Sequence, residues 1–339
     1  MLEHMFPNVF GRAAGRVPSA SVFGGVPAPM LARLEASLPR GDHWCYEPKF
    51  DGFRGLLWRA PNGAVHLLSR NLKDLSPSFP ELVCAGDALA PGTLVDGEIV
   101  IADATGRSDF GGLQERLSVG KRDARSGASR EPAVLLAFDL LWDAGADVTE
   151  MRLSDRRGRL ERLLEPEYTG LQLITQTRAI DEAEDWLKLV PGLEGVVAKR
   201  CDRPYLAGER QWIKVKKQRT ADCAVIGIAG DRSRPSLVLG LRHADGLFHH
   251  FGVARSSNQM LTEVLSTVLA QSGPEQSPIP SRWQHAAVPA WCPVPPTIVC
   301  EVSYTTLDSG RWLRQPARFV RWRPDRAPDD CWLEQLNQA

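Results

Sequence analysis

The chain has no CxxC pair, and none of its seven cysteines stands at metal-ligand spacing from a histidine. That pattern excludes a structural zinc module. An odd, scattered set (Cys45, Cys84, Cys201, Cys223, Cys292, Cys300 and Cys331) reads as reduced thiols of a cytosolic protein, most of them small core residues. Long apolar runs are lacking too, and none approaches the ~20 residues of a membrane span. Pro18, Pro27 and Pro29 break up the apolar stretches near the start, which argues against a signal peptide. Net charge is also absent. The 41 basic residues balance 41 acidic ones, so no global basic field advertises a nucleic-acid partner. Internal repeats and long low-complexity tracts are missing. A cytoplasmic location without membrane contact is the expectation.

What is present suits a globular protein. A length of 339 residues suggests about two domains, and 43% hydrophobic with 24% charged residues is ample for buried cores. Residues 1–25, rich in glycine and small side chains, read as a flexible tail. From Trp44 onward short apolar runs alternate with turn signals. Gly55–Trp58 and Val65–Ser69 flank Pro61-Asn62-Gly63, a hairpin signal. Thr93–Ile101 reads as two short strands around Asp96-Gly97, and Val134–Trp142 as a buried strand. Leu153–Leu164 has helical spacing with Ser154 as N-cap, and Asp181–Val190 puts Trp186, Leu187 and Val190 on one helix face. The character changes near Gln218-Arg219-Thr220. Strand-like runs follow at Cys223–Ile228, Ser236–Leu241 and Leu247–Ala254. Then come a helix candidate at Asn258–Ala270, a proline-rich loop and a last strand at Thr297–Thr305. The expected fold is α+β in two parts, with antiparallel sheets and flanking helices over 26–218. A small Greek-key barrel of the OB type follows over 219–339.

One octet concentrates the chemistry: Glu47-Pro48-Lys49-Phe50-Asp51-Gly52-Phe53-Arg54. It places a lysine two residues before an Asp-Gly turn, with an arginine just beyond. Free lysine is a poor nucleophile, since at a pKa of about 10.4 roughly one amine in 2,500 is neutral at pH 7. Covalent chemistry at Lys49 calls for a pKa lowered by about three pH units, or roughly 4 kcal/mol. Burial and nearby positive charge do this. Trp212-Ile213-Lys214-Val215-Lys216 supplies a candidate, because alternate residues of a strand face one way and Lys214 and Lys216 then project together. Arg210 lies on that side if the strand extends so far. Taken alone, this run reads equally as a solvated basic strand.

Other groups follow the same logic. Glu98 follows Asp96-Gly97, and Glu194 precedes Gly195-Val196-Val197-Ala198-Lys199. With Asp51 they form a carboxylate set suited to a hard divalent cation, although each is singly an ordinary strand-end carboxylate. Phe138 interrupts an aliphatic run at what reads as a strand end, where a ring stacks on a purine or simply fills the core. Arg70, in Ser69-Arg70-Asn71, suits a phosphate or ribose contact. Near the end, Arg311, Arg314, Arg318, Arg321, Arg323 and Arg326 interleave with Trp and Phe in an anion-binding stripe.

The order of these elements is more informative than any one. Lys-x-Asp-Gly-x-Arg is followed by Ser-Arg-Asn, Asp-Gly-Glu, Phe-Asp-Leu-Leu and Glu-Gly-Val-Val-x-Lys. Trp-Ile-Lys-Val-Lys and Arg-x-Asp-Arg complete the series. It resembles the motif series of covalent nucleotidyltransferases, and most closely the ATP-dependent DNA ligases, over about residues 27–327. The compact wording is similar to bacterial ligases of the actinobacterial C type.

That resemblance implies a nucleotidyltransferase (adenylation) domain followed by an OB-fold domain. It also implies that nicks with a 3′-hydroxyl and a 5′-phosphate are sealed through a lysine–AMP and a DNA-adenylate. Lys49 would be the nucleophile and Glu47 the adenine contact, with the base between Phe138 and Val197. Arg54 and Arg70 would touch the ribose and the nick phosphate, and Glu98 the ribose or metal. Arg210, Lys214 and Lys216 would hold the nucleotide phosphates. Glu98, Glu194 and Asp51 would serve magnesium or manganese. Arg323, Asp325 and Arg326 would orient pyrophosphate; Arg326 stands where lysine is frequent, which replaces a point donor by a planar fork. ATP is the implied co-substrate and no zinc is expected. Nicked duplex DNA is the implied partner of a monomeric enzyme of DNA repair, with a repair polymerase or end-processing factor beside it. An RNA ligase or capping-type nucleotidyltransferase is the alternative within the class. A non-catalytic nucleic-acid end-binding scaffold is the alternative outside it, and such a protein has no need of Lys49.

Overall fold

The computed structural model describes residues 25–101, 108–118, 131–165, 168–190, 192–229, 236–255, 291–308 and 312–337. A four-stranded sheet consists of β1 (Ala32–Leu34), β2 (Trp44–Lys49), β9 (Gly195–Arg200) and β10 (Trp212–Lys216), in the order β1-β10-β9-β2. A second sheet runs β4-β3-β5-β6-β7, with β8 also paired to β6. Its strands are β3 (Phe53–Arg59), β4 (Val65–Ser69), β5 (Thr93–Val100), β6 (Val134–Asp143), β7 (Ala146–Asp147) and β8 (Leu171–Leu173). Flanking helices are α1 (Pro80–Gly86), α2 (Phe110–Ser118), α3 (Leu153–Leu163) and α4 (Ile180–Leu189).

The faces of the sheets explain the packing. Leu57, Leu67, Val95, Leu135 and Leu140 cover one face of the second sheet and pack with Leu82 and Leu160 from the helices. Leu56, Leu68, Leu94, Phe138 and Leu141 form the opposite face and meet Tyr205 and Trp212 of the first sheet's side. Both faces of these strands are therefore buried, which is why they read as continuous apolar runs rather than alternating ones. The site lies where the two sheets meet.

The remaining strands have a core of their own. β11 (Arg219–Ala229), β12 (Ser236–Arg242), β13 (Phe248–Arg255), β15 (Val299–Tyr304) and β18 (Ala317–Trp322) pair in a closed circuit, since β12 also pairs with β11. β14 (Trp291–Pro293) adds to β11, and β16 (Leu307–Asp308) with β17 (Trp312–Leu313) forms a separate ribbon. Val225, Leu239, Phe251, Val299 and Val302 fill this barrel. The architecture is α+β with an OB-like barrel after the two sheets.

Several local expectations change. Thr93–Val100 is one strand, not two, because the chain runs straight on through Asp96-Gly97, opposite a bulge in β6, rather than turning. Ser154 lies inside α3. Arg152 occupies the N-cap without a side-chain bond, and Ser154 N–H instead donates to Cys201 O at 2.9 Å. Trp186 and Leu187 pack inward, but Val190 stands past the end of α4 and is 37% exposed. Thr297–Thr305 contributes β15, which is not last, since β18 follows from the arginine-rich segment. The helix candidate Asn258–Ala270 and the loop after it lie outside the described residues. Five of the seven cysteines are buried, while Cys84 is exposed and Cys292 intermediate, so the expectation of mostly core thiols holds.

Candidate active site

Strand register brings the site together. β2 runs antiparallel to β9, and β9 to β10, so Glu47, Val197 and Lys214 lie in one row across the sheet. Lys49, Gly195 and Lys216 form the next row. Side chains directly across a ladder share a face. Gly195 is required there, because a Cβ would sit 2.1 Å from Val215 O. Gly52 is required likewise: its Cβ would meet Ile99 O at 2.2 Å, so only glycine lets the turn after Lys49 press against β5.

The second sheet supplies the facing wall. In the β5–β6 ladder Asp96 pairs with Asp139 and Gly97 with Ala137, which leaves Phe138 as the extra residue of a bulge. A bulge re-aims a side chain, and here it points the ring into the cavity. The expectation of a strand-end phenylalanine is corrected to a mid-strand one. Arg54 lies opposite Glu98 on neighbouring strands.

Between the walls is a cavity of about 430 Å³. It is lined by Glu47, Lys49, Arg54, Arg70, Glu98, Phe138, Val197, Arg210, Lys214 and, from outside the expected set, Lys199, Trp212 and Ile174. Arg210 precedes β10 rather than belonging to it, and its Nη1 donates to Ala32 O at 3.3 Å. Arg323, Asp325 and Arg326 are not among the lining residues. They gather on the barrel around Asp222, with Arg323 Nη1 at 2.8 Å and Arg326 Nε at 3.6 Å from its carboxylate. Arg323 also binds Asp325 at 2.8 Å. Among the described residues of the same arginine-rich segment, Arg314 alone reaches the Lys49 loop, and its Nη1 donates to Asp51 at 2.6 Å. The Arg314 guanidinium also lies 3.5 Å from the centre of the Phe110 ring.

The electrostatics differ from the expectation of a lowered Lys49. Lys49 Nζ donates to Glu194, and Lys216 Nζ lies 2.6 Å from the other Glu194 oxygen. Burial opposes the charge on Lys49, but Glu194, Glu98 and Asp51 outweigh it and raise the pKa above its ordinary value. Lys214 is the amine whose pKa is lowered, by burial first and then by Lys49 and Lys216. Burial pushes Glu98 up to about 7, against the pull of Lys49 and Arg54. Burial tends to raise Glu194, but Lys49 and Lys216 bring it below the usual carboxylate range. Burial, then Arg210 and Arg54, lower Arg70.

The other charges are tied down. Arg54 grips Asp96 through both oxygens, and its guanidinium lies 4.6 Å from the Phe138 ring centre. Tyr205 Oη donates to Asp96 at 2.7 Å. Glu47 is 2% exposed and faces Lys199 Nζ at 2.6 Å, an ion pair whose angles fall outside those of a hydrogen bond. Lys199 is fully buried, 4.1 Å from the Phe138 ring centre and 4.2 Å from that of Trp212. Lys199 was visible as a charge in an apolar strand, two residues from Val197 and hence on the same face. Asp96, Tyr205 and Arg314 carried no comparable signal.

A divalent cation is tested by the donor set. Among the described residues no three of His, Cys, Asp and Glu are placed to hold a metal ion. Glu194 serves two lysines and Asp51 serves Arg314, while Glu98 makes no ion pair among the described residues. An all-protein cage is thus not built. Magnesium commonly takes one or two carboxylates plus phosphate oxygens and water, and Glu98 with Glu194 fits that manner of binding.

Comparison with known proteins agrees with this geometry. The family model described as ATP dependent DNA ligase domain matches residues 29–216, and the ATP dependent DNA ligase C terminal region matches residues 231–326. The chain belongs to the ATP-dependent DNA ligase family. It is 35% identical over 329 residues to DNA ligase C1 of Mycolicibacterium smegmatis, covering 91% of this chain and 93% of that one. It is 33% identical over 335 residues to the multifunctional non-homologous end joining protein LigD of Pseudomonas aeruginosa, covering 93% of this chain and 37% of the relative. Among solved structures, the ligase domain of LigD from M. tuberculosis superposes with a TM-score of 0.51 at 29% identity, covering 90% of this chain and 97% of that domain.

Proposed function

We propose that the cavity binds ATP and that Lys49 is the nucleophile of an enzyme sealing nicks in duplex DNA. One observation carries this reading. Lys49 lies at the wall of a nucleotide-sized cavity that Glu47, Lys214 and Phe138 also line, with Lys216 in its own strand row. The adenylation domain is taken as 26–218 and the OB-fold domain as 219–339. In the first step Lys49 Nζ bonds to the α-phosphorus of ATP and the bond to the leaving pyrophosphate breaks. In the second, AMP passes to the 5′-phosphate of the nick. In the third, the 3′-hydroxyl displaces AMP.

Each residue has a part in that sequence. Phe138 and Val197 hold the base and Glu47 reads it. Arg54 and Arg70 face the ribose and the nick phosphate, and Arg210, Lys214 and Lys216 face the triphosphate. Lys49 is held as a cation against Glu194. Its proton leaves only once nucleotide has entered and the Glu194 pairing is broken. Glu98 and Glu194, together with the nucleotide phosphates, would hold magnesium, which would supply positive charge beside the reacting phosphoryl group.

The barrel has to move. Arg323, Asp325 and Arg326 face Asp222 here, whereas the leaving pyrophosphate is in the cavity. Breaking the Arg314–Asp51 contact frees the barrel to swing about the chain near Gln218-Arg219 and bring that trio over the triphosphate. Scattering that gave one fixed interdomain arrangement with and without ATP or nicked DNA would sink this part.

A place in DNA repair is supported by the end-joining relatives, and the reading keeps a cytoplasmic location and end-processing partners. No helix among the described residues is long and apolar enough to cross a membrane. The decisive test is intact mass after incubation with ATP and magnesium. A gain of one AMP, absent in Lys49→Ala, supports the reading, and sealing of nicked DNA but not nicked RNA fixes the substrate. No adduct under any condition overturns it.

A further inference from the structure

Glu47 sits deep on β2, where an ionised carboxylate needs partners for charge and for direction. Lys199 supplies the charge. Direction comes from a residue outside every helix and strand: Gln176 Nε2 donates to Glu47 Oε1 at 2.8 Å. The segment carrying Gln176 is itself pinned. Ile174 N–H donates to Ala137 O at 2.9 Å, next to Phe138 on β6. Thr177 and Tyr46 exchange backbone hydrogen bonds at 3.0 and 2.8 Å, next to Glu47 on β2. Arg157 Nη2 adds a bond to Ile174 O at 2.6 Å. The amide is thus anchored to the two strands that carry Glu47 and Phe138.

A competitor shows why that anchoring matters. Arg157 Nη1 is buried without a hydrogen-bond partner and lies 3.9 Å from the same Glu47 oxygen. A carboxylate released by Gln176 would turn toward that guanidinium and away from the cavity, since an unpaired buried donor is costly. Gln176 occupies one acceptor position of Oε1 and leaves the carboxylate facing the cavity that Glu47 lines.

We infer that Gln176 is a positioning residue for nucleotide selection, holding Glu47 so that the pocket reads the 6-amino group of adenine. The inference rests on Glu47 being the adenine contact. Its support is that partners of a site-forming carboxylate fix its orientation and are part of the site's precision.

The test is a double-mutant cycle between Gln176 and the ligand's amino group, read as lysine–AMP formation by the full chain. ATP is compared with purine riboside triphosphate, which lacks the 6-amino group. In the wild type kcat/KM favours ATP by about tenfold or more, since a site built to bond a polar group rejects the analogue without it. In Gln176→Ala the preference falls to about threefold or less, mainly through a raised KM for ATP. Gln176→Met, which keeps volume without the amide, gives the same result should the alanine variant not fold. Equal losses on both nucleotides, with the preference intact, overturn the inference and leave Gln176 a structural residue. Glu47→Gln is measured alongside. If it keeps the full preference, the adenine reading of Glu47 falls. If it loses the preference while the Gln176 variants keep it, only the inference about Gln176 falls.

Discussion

The Lys49 cavity and the arginine-rich C-terminal segment are both dense in charge, yet they handle it in opposite ways. In the cavity, charges converge on empty space: Lys214, Arg70, Arg210 and Glu98 line it, and none of their side chains makes an ion pair among the described residues. On the barrel, Arg321, Arg323 and Arg326 are matched by carboxylates of the barrel itself. Arg321 binds Glu301 at 2.6 Å, and Arg323 binds Asp222 and Asp325. The first arrangement waits for a ligand, because unneutralised charge held in a partly dry pocket is stabilised only when the ligand arrives. The second is already satisfied. Those arginines reach a phosphate only once their carboxylate partners are released, which the proposed swing of the barrel requires.

Four changes test that contrast. The largest effect is expected for Lys49→Ala, which removes the nucleophile and abolishes the AMP adduct in intact-mass measurement; a retained adduct would place the chemistry elsewhere. Arg323→Ala comes next. If the barrel swings over the cavity, this change slows lysine–AMP formation by about a hundredfold, the scale of one transition-state donor, in rapid-quench label transfer. It acts far less on sealing of a nick that already carries AMP. Equal effects on both would mean that Arg323 merely holds the barrel together.

Glu98→Gln comes third and acts on stability as well as activity. Burial raises the carboxyl to about 7, above its unfolded value, so ionising it opposes folding. The Gln variant is then more stable than the wild type at pH 8 by about 1 to 3 kcal/mol. That advantage fades as pH falls through 7 toward 4.5, where both folded and unfolded carboxyls are protonated. Thermal melting across pH reads it, and a flat difference would contradict the burial argument. The smallest effect is expected for Arg314→Ala. Loss of one ion pair and one ring contact is worth about 1 kcal/mol, read as an increased radius of gyration in solution scattering.

Much of the site was legible because its rows are built from strands. In a strand, spacing translates directly into facing, so Lys214 and Lys216 could be placed on one side from the residues alone. What failed did so for nonlocal reasons. Phe138 points inward because of a bulge set by its pairing with β5. Ser154 is not a cap because Cys201, 47 residues on, takes its amide. Lys49 is raised rather than lowered because burial is outweighed by Glu194, Glu98 and Asp51, which come from three different stretches of the chain.

The sequence by itself determined the family and the residue types of the proposed site, since these are carried by short motifs whose order along the chain is read directly. Only the tertiary structure decided which charges remain available. Asp96 neutralises Arg54 from 42 residues away, Glu194 holds Lys49 from 145 away, and Arg314 reaches Asp51 across 263. Electrostatic pairing depends on distance in space and on solvent exclusion, and chain separation encodes neither.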